Sequence, residues 1–187
     1  MIKSKNKRIG IFGGSFDPPH FGHLQISEQA IKKLSLDQVY WCITKKNPFK
    51  KKTFFSLAER IKKSKAITSK VKKIKIKFFE DNIKSTNTIN LMKYLKLKNK
   101  KDLFFLIIGS DNLIKFHKWK SWKILPELAE IVVFSRKDYD KKAKKSATMN
   151  YVKKIIFIKN KPINISSTQI RKNIIKLNED IRNKKPN

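Results

Sequence analysis

Residues 9–23 read IGIFGGSFDPPHFGH. The apolar run Ile9–Phe12 is followed at once by eleven residues, 13–23, that hold three of the chain's 5 glycines, two of its 6 prolines and two of its 3 histidines. A short apolar run closed by a glycine-rich turn reads as a buried strand. The stretch after it, Phe21–Leu34, offers Leu24, Ala30, Ile31 and Leu34 to one side and reads as a helix. Strand, tight polar loop and helix in this order open an α/β unit.

The alternation continues along the chain. Gln38–Ile43, Lys73–Phe79, Leu103–Ile108, Ile131–Phe134 and Ile155–Ile158 read as further strands. Between them, Ser56-Leu57-Ala58-Glu59 is a capping box opening a helix. Thr86–Leu97 reads as a helix with Ile89, Met92 and Leu95 inward and Leu91 beside them. Ser110–Phe116 and Trp122–Leu128 read as short helices, and Ser167–Leu177 as a closing one. This order predicts a Rossmann-like, doubly wound parallel sheet with helices on both faces, in a single domain over 1–187. The polar, lysine-rich stretch 137–150 is expected to be a mobile loop.

The charge balance is unusual: 46 Lys+Arg against 14 Asp+Glu, a formal net charge of +32. Nucleic-acid binding is one reading, since cations displace counterions from phosphates. The lysines are spread through nearly every segment, however, and such binding is expected to be at most weak and non-specific. Either way the field attracts small polyanions. The longest apolar run, Leu103–Ile108, is far short of the roughly 20 residues a membrane helix needs. No signal-peptide core follows the basic N-terminus, and Cys42 is the only cysteine, so a cytoplasmic protein is expected.

The position of the loop carries chemical meaning. Parallel sheets bind ligands at the carboxyl ends of their strands, near the switch in strand order. Gly13 and Gly14 permit positive φ and close approach of backbone N–H groups to a ligand. Pro18 and Pro19 stiffen the loop, and His20 and His23 share a face of the first helical turn. With the partial positive charge of a helix start, these make a phosphate-binding wall. Singly, each has an ordinary structural explanation, a common Gly-Gly turn or capping histidines; their conjunction favours a phosphate site. Cys42 and His117 lack the spacing of a zinc site. The stretch matches neither G-x-x-x-x-G-K-[ST] nor G-x-G-x-x-G.

GGSFDPPHFGH resembles the signature of the HxGH-class nucleotidyltransferases, and ISSTQIR at 165–171 is similar to their second signature. NPFK at 47–50, STNTINLM at 85–92 and GSDNLIKFHKWKSW at 109–122 resemble segments of the bacterial nicotinate-nucleotide adenylyltransferases. The resemblance implies transfer of AMP from ATP to nicotinate mononucleotide, with magnesium carried on ATP and no metal held by protein side chains. It implies His20, His23 and Arg171 as catalytic residues. It assigns Gly13, Gly14, Ser15, Phe16, Lys50, Gly109, Asp111, Ser166, Ser167 and Thr168 to ATP and its phosphates, and Thr88 and Trp119 to the nicotinate nucleotide. Several have plain structural alternatives: Lys50 a solvated lysine, Asp111 a helix cap, Arg171 an exposed helix residue. Trp119 and Trp122 are exchangeable as stacking residue and core residue. Phe49, Ser15 and the missing Pro-Gly after Ser135-Arg136 depart from the common pattern. A nicotinamide-preferring enzyme, a phosphopantetheine adenylyltransferase and an RNA-binding protein on the same fold remain as alternatives. Oligomeric state is open.

Overall fold

The computed structural model describes residues 6–45, 53–136, 138–160 and 165–183. Six strands, β1 (Arg8–Gly14), β2 (Gln38–Ile43), β3 (Ile74–Lys77), β4 (Leu103–Gly109), β5 (Glu130–Phe134) and β6 (Ile155–Ile158), form one sheet in the order β3-β2-β1-β4-β5-β6. Every pairing is parallel. The chain therefore reverses direction across the sheet between β1 and β4, and that crevice is where a doubly wound fold takes its ligand.

Side chains alternate across the sheet. Ile9, Ile11, Phe104, Leu106, Ile131 and Val133 enter one core layer, under α4 (Thr88–Lys98), α5 (Ser110–Lys115) and α6 (Leu125–Leu128). Phe12, Val39, Trp41, Phe105, Ile107 and Val132 enter the other, with α1 (Phe21–Lys33) and α2 (Leu57–Thr68). Ile89, Met92 and Leu95 of α4 are buried as their spacing predicts, and the Ser56/Glu59 capping box opens α2. At Gly10 a Cβ would come within 2.9 Å of the Ile107 and Leu36 side-chain tips, so a larger residue there would make those side chains shift.

Three expectations need correction. First, no glycine among the described residues has positive φ; Gly13 and Gly14 stay extended because they pair with Cys42 and Ile43 of β2. The left-handed turn falls instead on Phe16, at φ 45°. Its ring is anchored by stacking on Trp41 with centroids 4.7 Å apart, which offsets the strain of a bulky residue there. Second, the stretch 137–150 contains two short helices, α7 (Asp140–Lys144) and α8 (Ala147–Tyr151). Ala143 and Thr148 are buried, so the small residues between the lysines make an inner face. Third, α3 (Glu80–Ile83), a single turn, follows a β3 shorter than expected, and α9 (Ser167–Asn183) runs beyond Leu177.

Candidate active site

His20 is the N-cap of α1, and its geometry determines a tautomer. Its Nδ1 accepts from Gly22 N–H at 3.1 Å, while His23 Nδ1 accepts from His20 N–H at 3.2 Å. The two histidines thus form a reciprocal capping box, with the rings 3.9 Å apart. A neutral imidazole that accepts at Nδ1 carries its proton on Nε2. Both are held neutral: burial, then the Arg136 guanidinium, lowers His20 to about 4. Burial, then His20 and Arg136, holds His23 well below the usual histidine value, against a small opposing effect of its hydrogen bond to the His20 backbone. Phe12, Phe16 and Trp41 surround the His23 ring. The result is two Nε2–H donors at the start of a helix, beside the sheet's switch point.

A chain of hydrogen bonds ties this helix to the sheet beneath. Trp41 Nε1 donates to Ser27 Oγ at 2.7 Å, and Ser27 Oγ donates to the His23 carbonyl at 2.9 Å. Gly13, exposed at the end of β1, has nothing within 4 Å of where a Cβ would stand. Phe16, in contrast, is 2% exposed, so only its backbone can reach a ligand.

Gly109 and Asp111 lie at the end of β4. Asp111 Oδ2 pairs with Arg136 at 3.2 Å, whereas the buried Oδ1 has no partner among the described residues. A Cβ on Gly109 would collide with the Asp111 carboxylate and come within 3.3 Å of Arg136 Nε, so glycine here makes room for that pair. Arg136 follows β5; its backbone N–H donates to Ser110 Oγ at 3.0 Å and to Asp140 Oδ1 at 2.9 Å. Residue-by-residue reading missed Arg136. The available signal was its place two residues past a strand end, on the same side of the sheet as the histidines.

The start of α9 docks on the same loop. Ser166 Oγ accepts from Gln169 N–H at 3.2 Å and so caps the helix. Ser167 Oγ donates to the Pro18 carbonyl at 2.9 Å, and Arg171 Nη1 to the Asp17 carbonyl at 2.5 Å. Arg171 Nη2 donates to Thr168 Oγ1 at 3.1 Å. Ser167 and Arg171 Nη1 fasten α9 to the loop, while the Ser166 and Thr168 hydroxyls bond within the helix and its cap. The first-turn N–H groups and the remaining Arg171 hydrogens are the donors this helix can turn to an anion. Lys50, with the rest of NPFK, lies outside the described residues.

Thr88 begins α4, next to a cavity of about 530 Å³ lined by Lys45, Glu80, Asp81, Lys84, Ser85, Thr86 and Asn87. Trp119 is half-buried against Phe116, with centroids 5.0 Å apart, and Trp122 is half-buried against Phe116 and Tyr151. Both indoles are thus partly core and partly available. Cys42 is buried, its thiol pushed up to about 12 by burial, against a smaller opposite pull from Lys77. Among the described residues no three His, Cys, Asp or Glu side chains cluster as metal ligands, and no helix is long and apolar enough to cross a membrane.

Comparison with known proteins identifies the family. The cytidylyltransferase-like family model matches residues 11–173. A Pelagibacter ubique (strain HTCC1062) protein named "Probable nicotinate-nucleotide adenylyltransferase" is 47% identical over 91% of this chain and 96% of its own. A Rhizobium leguminosarum bv. trifolii (strain WSM2304) protein of the same name is 39% identical over 68% of this chain and 67% of its own. Two structures of Plasmodium falciparum nicotinic acid mononucleotide adenylyltransferase, one complexed with NaAD and one with APC, superpose with TM-scores of 0.75 and 0.73. Both are 21% identical and cover 89% of this chain and 83% of theirs. The chain belongs to the cytidylyltransferase-like family and, within it, to the nicotinate-nucleotide adenylyltransferases.

Proposed function

We propose that the protein transfers the adenylyl group of ATP to nicotinate mononucleotide, giving nicotinate adenine dinucleotide and pyrophosphate, and that it does so in the cytoplasm. The observation that carries this reading is the pair of neutral imidazoles, His20 and His23, each with its proton on Nε2 at the sheet's switch point. The names of the close relatives, and the NaAD complex of a protein with the same fold, support the choice of acceptor.

No general base is required, because the attacking group is a phosphate oxygen already ionised at neutral pH. That oxygen attacks the α-phosphorus in line. The bond from the α-phosphorus to the bridging oxygen breaks, and its electron pair leaves with pyrophosphate. No covalent enzyme intermediate forms. What the protein must supply is alignment of two anions and stabilisation of the charge that develops. His20 and His23 donate Nε2–H to the phosphates. The open space at Gly13 and the backbone of Gly14, Ser15 and Phe16 receive the reacting groups. Arg136, Arg171 and Lys50 add positive charge, as do the N–H groups that begin α9 at Ser167 and Thr168. Asp111 Oδ1 accepts a ribose hydroxyl beside Gly109. Trp119 stacks on the pyridine ring, and the backbone at Thr88 takes the nicotinate carboxylate. ATP arrives as its magnesium complex, so the cation belongs to the substrate.

The test is pyrophosphate release with ATP and each acceptor in turn: nicotinate mononucleotide, nicotinamide mononucleotide and phosphopantetheine. A carboxylate accepts charge-assisted bonds roughly twice as strong as those of a carboxamide. The amide's NH₂ would also point a donor at a donor, leaving buried groups unpaired at a cost of roughly 1–3 kcal/mol. The acid should lead in kcat/KM by about two orders of magnitude. Equal rates would mean dual specificity, and a preference for the amide would overturn the acceptor while leaving adenylyl transfer in place.

A further inference from the structure

Arg60, on the second turn of α2, is 1% exposed although it carries a charge. Burying a cation is costly unless its donors are satisfied, and here they are satisfied in an unusual way. Nη1 donates to the carbonyls of Ser15 at 2.6 Å and Thr44 at 2.7 Å. Nη2 donates to the carbonyl of Lys45 at 2.9 Å, and Nε to that of Phe55 at 3.2 Å. One guanidinium thus gathers four carbonyls from the signature loop, the end of β2 and the approach to α2. Asp17 ties the same approach to the signature loop, its carboxylate accepting from Phe54 N–H at 2.8 Å and Phe55 N–H at 2.9 Å.

The consequence follows from peptide planarity. In a trans peptide the C=O and the next N–H point in opposite directions. Holding the Ser15 carbonyl towards Arg60 therefore turns the Phe16 N–H away from it, and that N–H has no protein acceptor among the described residues. Holding the Thr44 carbonyl turns the Lys45 N–H outward, where it donates to Glu80 Oε2 at 2.9 Å. Lys45 and Glu80 both line the cavity beside Thr88.

We propose that Arg60 is a positioning residue: it presents the Phe16 N–H to the reacting phosphates and holds Lys45 on Glu80 at the wall of the neighbouring cavity, aligning both substrate subsites through one buried fork. The inference rests on the reading of residues 13–23 as the triphosphate site. Lysine, a single point of charge, cannot reproduce the planar set of donors.

The experiment compares Arg60→Lys and Arg60→Ala with Leu36→Ala. Leu36 is fully buried at the amino end of β2, away from the site, so its truncation measures the effect of instability alone. Melting temperature, kcat and both KM values are measured for each. Arg60→Lys should lose about tenfold or more in kcat and raise KM for both substrates, as loss of preorganised donors does. Leu36→Ala should keep kcat within about twofold at a temperature where it is folded. Ethylguanidinium, which replaces the atoms missing from Arg60→Ala, should restore activity, and ethylammonium should not. Should Arg60→Ala fail to fold, Arg60→Lys carries the test alone. Wild-type kinetics in Arg60→Lys, or no rescue of a folded Arg60→Ala, would overturn the proposal. A wild-type protein that forms no dinucleotide would count against the acceptor reading instead, and the Arg60 variants would then be judged by their ATP dissociation constants.

Discussion

The proposed role of His20 and His23 as neutral donors has two separable signatures. Replacing either with alanine should lower turnover by about 100-fold or more, the usual loss when a preorganised transition-state donor is removed. Near-normal turnover in both variants would contradict the assignment. The second signature is in stability. His20 is lowered from 6.5 to about 4 in the folded protein. Between those values the unfolded chain binds more protons than the folded one, so stability falls as pH falls through that window and levels off below about 4. Thermal melts from pH 7.5 to 4 should therefore slope less steeply for His20→Asn than for the wild type. Identical slopes would mean that the imidazole is not held neutral. Gly13 is a complementary case. Open space around its missing Cβ predicts that Gly13→Ala melts within a few degrees of wild type, about the scatter of a surface change. The same methyl would enter the proposed phosphate space, and kcat/KM for ATP should drop about tenfold or more. A drop in melting temperature without a drop in kcat/KM would reverse this reading.

At the scale of elements, Trp119 is the residue proposed to stack on the pyridine ring. Because the indole is half-buried on Phe116, Trp119→Ala should cost some stability. Loss of ring stacking should add roughly 1–3 kcal/mol against the pyridine nucleotide. KM for the mononucleotide should then rise far more than KM for ATP; equal rises would make Trp119 core alone. Much of this architecture was legible beforehand. β1, β2, β4, α1 and α4 follow from apolar periodicity, and the Ser56/Glu59 box locates the start of α2. What stayed hidden depends on distant partners. Gly13 and Gly14 look like turn residues, but β2 pairing keeps them extended and Trp41 moves the turn to Phe16. Arg60 reads as one cation among 46 Lys+Arg, and only the folded chain brings four carbonyls to it. Ser167 and Arg171 belong to a recognisable signature, yet their hold on Pro18 and Asp17, some 150 positions away, lies outside any local pattern.

Across the whole molecule, the few acidic residues are used in a particular way. Asp17, Asp37, Glu59, Glu80, Asp102 and Asp140 all accept from backbone N–H groups in loops, at a helix start or at the start of β1. Ion pairs among the described residues are limited to Lys45–Asp81, Arg136–Asp111 and Lys154–Glu130. With 46 Lys+Arg against 14 Asp+Glu most lysines stay unneutralised whatever the carboxylates bond to, and the carboxylates serve the backbone instead. The resulting field is diffuse. It should speed capture of ATP and the mononucleotide, both anions, without creating a binding groove for a longer polymer. Two measurements follow. kcat/KM for ATP should fall as salt is raised from 20 to 300 mM, because exposed charges are screened beyond about 8 Å at physiological ionic strength. kcat at saturating substrate should change little. RNA should bind weakly, without sequence preference, and come off over the same salt range, since counterion release is the only drive available to scattered lysines. A protected RNA footprint that survives 150 mM salt would show instead that the charge forms a defined surface, and the protein would then have a second partner besides its nucleotides.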